Sequence, residues 1–150
     1  MIEPSAAAAG VRLEVHLSES PLVVLGDPGQ LDRLLNLLSN AVKFSRAGGT
    51  VTVRTHLLED EVVVVVSDTG IGIPTAEQDR LFTRFFRATN ATELAIKGTG
   101  LGLTIVRSII EHHHGTLTVS SIEGEGTVVE VRLRSGAAGQ TTTGIFAAAK

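Results

Sequence analysis

Hydrophobic and polar positions change their period along this chain, and each change marks an element. Val11 to His16 alternates apolar with polar residues, which predicts a strand. Asp27-Pro28-Gly29-Gln30 opens a helix: Asp27 can cap, Pro28 suits the first turn, and Gln30 completes a capping-box-like spacing. The helical spacing runs to about Ser45 and stops at Ala47-Gly48-Gly49, where glycine permits a left-handed turn. Thr50 to Leu57 alternates as a strand, Glu59-Asp60-Glu61 is a turn, and Val62 to Ser67 is a second strand, so the two predict a hairpin. The valine run Val62 to Val66 lacks polar alternation, which predicts a central strand covered on both faces. Ala76 to Phe86 is weakly helical, and Thr89 to Lys97 reads as a loop. Gly100 to about His113 is a helix whose apolar residues are Leu101, Leu103, Ile105, Val106, Ile109 and Ile110. Leu117 to Ser120 and Thr127 to Arg134 are strands joined by Glu123-Gly124-Glu125-Gly126. Strand, helix, hairpin, helix, helix, hairpin predicts a mixed sheet with helices on one face.

Composition narrows the picture. At 150 residues, with 43% hydrophobic and 19% charged residues, the chain is expected to fold as one globular domain. Ala-rich residues 1–10 and the low-complexity stretch 135–150 read as mobile tails, which leaves 11–134 as the folded domain. The net charge of −3 argues against nucleic acid or an anionic membrane surface as partner, so any anion site must be built locally. The absence of cysteine excludes disulfides, thiol nucleophiles and Cys-ligated zinc. Val62 to Val66 is the longest purely aliphatic run, far short of a membrane span, and Met1 to Gly10 lacks the pattern of a signal peptide.

Three segments carry candidate chemistry. At about 100° per residue, Asn36, Asn40 and Lys43 fall within about 60° of one another, on a helix whose other faces carry Leu34, Leu35, Leu38, Ala41 and Val42. An Asn amide oxygen can ligate Mg²⁺, which takes oxygen ligands and keeps several waters, and Lys43 is a point charge suited to a phosphate oxygen. Taken alone, the stripe reads first as the solvated face of an amphipathic helix. Asp68 ends the valine strand just before Thr69-Gly70-Ile71-Gly72-Ile73-Pro74. A carboxylate there can accept a hydrogen bond from an exocyclic amine, while Gly70 and Gly72 allow close backbone approach. The plainer reading is an Asp-Thr-Gly turn after a strand. Gly98, Gly100 and Gly102 lead into a helix, whose first N–H groups suit phosphate. A dinucleotide-binding loop would need a preceding strand and glycine at position 103, which is Leu103, and no Gly-Lys-Ser/Thr follows to make a P-loop.

Four segments share one order: Asn36 to Ser45, Ser67 to Pro74, Leu81 to Arg87, and Gly98 to Leu103. In that order they resemble the N, G1, F and G2 boxes of the catalytic ATP-binding domain of sensor histidine kinases, over roughly residues 11–134. The resemblance implies the Bergerat ATP-binding fold of the gyrase, heat-shock chaperone and histidine kinase superfamily: a two-layer α/β sandwich with a mixed, mostly antiparallel sheet. It implies Mg²⁺ on Asn40, Lys43 near the phosphates, and adenine read by Asp68 beside Gly70, Gly72 and Ile73. It implies nucleotide contacts from Lys97, Gly98, Thr99, Gly100, Leu101, Gly102 and Leu103, with residues 88–99 acting as a lid. Arg84 and Arg87 read as phosphate or partner contacts or as solvated charges, and Phe82, Phe85 and Phe86 as anchors of a mobile segment.

Asn36 separates subgroups. Hydrolysing relatives place a Glu there to activate water, and Asn cannot act as a general base. Residues of the Asn36, Asn40 and Lys43 stripe therefore suit holding ATP for transfer rather than hydrolysing it. The acceptor histidine is expected on a dimerisation domain in cis or in a separate subunit, since none of His16, His56 or His112-His113-His114 precedes a coiled-coil stretch. The resemblance further implies a downstream response regulator and a cytoplasmic setting. The alternatives are an anti-sigma-type serine kinase of the same fold and a nucleotide-binding module without transfer. The histidine triplet suggests a metal site, but consecutive helical side chains diverge by about 100° and cannot share one ion. In the resembling family one His is followed by two Gly, and His114 stands in place of the first.

Overall fold

The computed structural model describes residues 7–19, 22–80, 102–136 and 142–143. Strand β1 is Arg12–His16 and β2 is Val24–Leu25. A short helix α1, Pro28–Leu31, passes through a 3-10 segment, Asp32–Leu35, into α2, Asn36–Phe44. The hairpin β3 (Thr50–Leu58) and β4 (Glu61–Asp68) follows, then a 3-10 segment Thr75–Arg80. Helix α3 is Gly102–His112, followed by β5 (Thr116–Ile122), β6 (Gly126–Arg134) and the two-residue β7, Thr142–Thr143.

Five strands form one sheet in the order β1-β3-β4-β6-β5. Only β1 and β3 are parallel, so the sheet is mixed and mostly antiparallel. β7 lies outside it, paired with β2, so part of the stretch expected to be a tail takes strand geometry. Register explains the core. Val53 faces Val66, Thr55 faces Val64 and Leu57 faces Val62, and the row continues onto Val129, Val131 and Leu133. These residues share one face by the period of two. Of these, Val53, Val62, Val64, Val66, Val131 and Leu133 join Leu31, Leu34, Leu37, Leu38, Ala41, Val42, Val106, Ile109 and Ile110 in one cluster, with Val129 packed against it, which sets the helices on that face, while Leu57 stays exposed.

Two expectations are modified. β4 is central, but its second face carries no helix among the described residues. Val63 points that way and is still only 1% exposed. Its register neighbours are His56 and Arg132, whose side chains share that face by the period of two. The helix expected from Asp27 to Ser45 is interrupted by its 3-10 turn. Leu31, Leu34 and Leu37 recur at spacing three and are all buried, and three residues per turn is the 3-10 period. Among the described residues no helix is long and apolar enough to cross a membrane.

Candidate functional site

The helix-covered face of the sheet turns polar at one end. Asp68, the last residue of β4, lies between Val51 and Thr127, and Thr127 lies beside Ser121. Burial pushes the Asp68 carboxyl above the ordinary carboxylate range; hydrogen bonds from the backbone of Gly70 and Thr127 pull it partly back. The Gly70 N–H donates to Asp68 Oδ1 at 2.9 Å. A half-buried carboxylate with desolvation as its dominant influence is a directional acceptor for a ligand N–H.

Residues 69–74 are tied to three elements. Thr69 Oγ1 accepts the Thr50 N–H at 2.9 Å. The Ile71 N–H donates to the Phe44 carbonyl at 3.1 Å, and the Ile71 carbonyl accepts from the Gly124 N–H at 2.7 Å. The Ile73 N–H donates to Ser121 Oγ at 2.8 Å. Gln78 Nε2 then donates to both the Ile73 carbonyl, at 3.0 Å, and the Ser121 carbonyl, at 2.9 Å. A Cβ on Gly70 would run into the Phe44 carbonyl, and Gly72 holds φ at +67° against Ile122. The close approach these glycines allow is thus to the chain's own backbone.

The stripe on α2 begins at Asn36, whose backbone opens the helix. Asn40 is half-buried and Lys43 is exposed, with Nζ 5.4 Å from the Phe44 ring centroid. α2 packs against both β4 and α3, so the stripe and Asp68 belong to one packed unit. α3 starts at Gly102, with Leu103 in its first turn. Arg84, Arg87, Lys97, Gly98, Thr99, Gly100 and Leu101 lie outside the described residues, as do the proposed lid and the three Phe anchors. The chemistry of these residues fits an adenine nucleotide: an acceptor at a sheet end for its amine, and an amide oxygen on α2 of the type Mg²⁺ accepts.

Ser121, Thr127 and Gln78 are absent from the sequence-derived set. Ser121 Oγ accepts from Ile73, donates to the Gly126 carbonyl at 3.0 Å or pairs with Thr127 Oγ1 at 2.8 Å. A parity signal existed: Thr127 falls in the same inward row as Val129, Val131 and Leu133. In the histidine triplet, the two ring nitrogens of His113 both engage backbone, of Ile109 and Asp27. Among the described residues no group of three or more His, Asp or Glu is disposed to hold a metal.

Residues 26–137 match the family described as histidine kinase-, DNA gyrase B- and HSP90-like ATPase. The sensor histidine kinase RppB of Synechocystis sp. is 38% identical over 129 residues, which are 85% of this chain and 28% of that protein. The chain thus spans about a quarter of the length of that relative, and 21% of the histidine protein kinase DivJ of Caulobacter vibrioides, to which it is 42% identical over 83% of its own length. Among solved structures, the mycobacterial sensor histidine kinase MprB is similar with a TM-score of 0.72 and 32% identity, covering 89% of this chain and 93% of that one. Full-length ShkA in complex with AMPPNP is similar with a TM-score of 0.73 and 31% identity, covering 91% of this chain and 28% of that one. The chain belongs to the histidine kinase-, DNA gyrase B- and HSP90-like ATPase family, and within it to the catalytic ATP-binding domains of sensor histidine kinases.

Proposed function

We propose that residues 11–134 bind Mg²⁺-ATP and transfer its γ-phosphate to a histidine on a dimerisation domain, in cis or in a separate subunit. The observation that carries this reading is the half-buried Asp68 carboxylate at the sheet end, held by Gly70 and Thr127 beside the loop tied to α2. Asp68 reads the adenine amine, and the 69–74 loop walls the base. Asn40 offers its amide oxygen to Mg²⁺, and Lys43 meets the phosphates. Mg²⁺, when bound, offsets phosphate charge. Gly102 and Leu103 open α3, whose first N–H groups face the phosphates, joined by Lys97, Gly98, Thr99, Gly100 and Leu101. Arg84 and Arg87 contact phosphate or the partner domain.

Transfer forms a bond between the acceptor imidazole nitrogen and the γ-phosphorus and breaks the bond to the β,γ-bridging oxygen, so that ADP leaves. Asn36 supplies no base for water, which favours this acceptor over hydrolysis. The complex of ShkA with AMPPNP supports the choice of nucleotide. The phosphohistidine then serves a response regulator, and the domain works in the cytoplasm as part of a longer sensor.

The test is incubation with γ-labelled ATP, with and without a separate histidine-bearing dimerisation domain. Label should appear on that domain as acid-labile phosphate and not on this chain alone. Transfer to a serine of a partner protein would favour the anti-sigma-type kinase. Binding without transfer to any acceptor would leave a nucleotide-binding module.

A further inference from the structure

His113 occupies the residue after α3 and faces the start of α1, which leads through the 3-10 segment into the stripe-bearing α2. Its Nδ1 lies 2.8 Å from the Ile109 carbonyl, one turn back. A carbonyl can only accept, so Nδ1 carries the proton and Nε2 bears the lone pair. That lone pair accepts the backbone N–H of Asp27 at 3.1 Å. Asp27 in turn caps α1: its Oδ1 accepts the N–H of Gly29 at 2.9 Å and of Gln30 at 3.3 Å. One imidazole thus joins the last turn of α3 to the capping residue of α1.

Gly26 supplies an independent observation. Its φ is not in the left-handed region, so its backbone does not demand glycine. What it lacks is room: a Cβ there would fall on the His113 ring, within 2.6 Å of Nε2. The glycine makes space for the imidazole at the α1 entrance. The other end of the same helical run is held by the Ile71–Phe44 bond. Between the two anchors lies the 3-10 turn Asp32–Leu35, whose rise of about 2.0 Å per residue differs from the 1.5 Å of an α-helix. With the run free at one end, relaxation of that turn towards α geometry would slide and rotate Asn36 and Asn40.

We propose that His113 is a positioning residue for the nucleotide site: it fixes the axial placement of the α1–α2 run against α3, and so sets Asn40 and Lys43 relative to the N-terminus of α3. This rests on the reading of the chain as a Mg²⁺-ATP-binding domain. A neutral imidazole with a defined tautomer does this because it donates to one helix and accepts from the other, which no aliphatic side chain can do.

The experiment compares wild type, His113→Leu, His113→Gln and Gly26→Ala in the full chain. Calorimetry measures binding of ATP with Mg²⁺ and of adenosine alone; hydrogen exchange of the nucleotide-free chain reads the amides of Asp27 and Gly29 to Leu31. His113→Leu and Gly26→Ala should each weaken Mg²⁺-ATP binding roughly tenfold or more, the range seen when a residue supporting a ligand group is removed. Adenosine, read by Asp68, should bind as in wild type, and exchange at the α1 amides should rise. His113→Gln, whose amide oxygen can still accept the Asp27 N–H, should recover most of the Mg²⁺-ATP affinity. Equal loss for adenosine and Mg²⁺-ATP, or unchanged Mg²⁺-ATP binding with unchanged α1 exchange, would overturn the proposal. Failure of wild type to bind either ligand would instead count against the functional reading, and the exchange measurement would still decide whether His113 holds α1.

Discussion

The backbone N–H of Ile71 donates to the carbonyl oxygen of Phe44, the last residue of α2, at 3.1 Å. The Phe44 carbonyl belongs to the final turn of the helix, where carbonyls lack intrahelical partners. One bond therefore completes the helix and fixes the loop after Asp68 against it. Gly70 permits the approach, because a Cβ would collide with that same carbonyl. Gly70→Ala should force the loop off α2 and destabilise the domain by about 1–3 kcal/mol, the usual cost of inserting volume without room. Urea unfolding measures that change, and nucleotide titration should show weaker binding in the same variant. An unchanged unfolding midpoint would mean that the loop and helix are not coupled through this contact.

Asp68 predicts a dependence on pH as well as on base. Burial raises its folded-state pKa above the unfolded value. Between those two values the folded state holds more protons than the unfolded state, so stability falls as pH rises through the folded pKa. The stabilising contribution is complete below the unfolded-state value and is lost as pH rises through the raised folded-state one. Asp68→Asn removes this titration, so the stability of wild type relative to the variant should decline as pH rises from the ordinary carboxylate range through the raised folded-state value. The same variant should lose about 1–3 kcal/mol of ATP binding, because an acceptor is partly replaced by a donor. Parallel pH profiles, or unchanged ATP affinity, would remove Asp68 from its assigned place.

The strands and the central position of the valine run were legible because period two and apolar continuity are local signals. Asn40, Lys43 and Asp68 stand out in the sequence as candidates because each is a polar residue interrupting an apolar element. The break at Asp32–Leu35 was not, since Leu31, Leu34 and Leu37 satisfy both a 3.6 and a 3.0 period. Ser121 and Gln78 were not legible either. Ser121 matters through Ile73, 48 residues away, and Gln78 through a carbonyl on β5. A lone Ser or Gln carries no sign of such a partner until the sheet brings the two together. His113 was read within a triplet of histidines, while its role depends on Asp27, 86 residues earlier.

His114 adopts φ of +59° directly after the last turn of α3. The backbone there closes the helix in the manner of a glycine cap: His114 N–H donates to the Glu111 carbonyl at 3.0 Å and Gly115 N–H to the Ile110 carbonyl at 2.9 Å. A residue with a Cβ pays about 1–2 kcal/mol in that conformation. His114 is exposed, so its side chain has little burial to offset the strain. His114→Gly should therefore stabilise the domain by up to about 1 kcal/mol, part of the relief being lost to the greater entropy of glycine in the unfolded chain. Thermal unfolding checks the sign, and a lower melting temperature would show that the imidazole makes a compensating interaction.

Asn40 is the residue on which the Mg²⁺ dependence should turn. It sits half-buried in the middle of α2, on the polar stripe, while Leu37, Leu38, Ala41 and Val42 around it carry the packing. Asn40→Ala removes an amide oxygen without opening a cavity among those residues, and alanine is the better helix former. The fold should survive, with an unfolding midpoint equal to or slightly above that of wild type. Binding of the base should persist through Asp68, so ADP without Mg²⁺ should bind both proteins alike. The added affinity that Mg²⁺ gives wild type should vanish, together with phosphate transfer to a supplied dimerisation domain. Wild type itself should hydrolyse ATP slowly, since Asn36 offers no base to activate water. An Asn40→Ala protein that keeps the full Mg²⁺ effect would place the metal ligand elsewhere on the chain, and a fast steady-state ATPase in wild type would contradict the role given to Asn36.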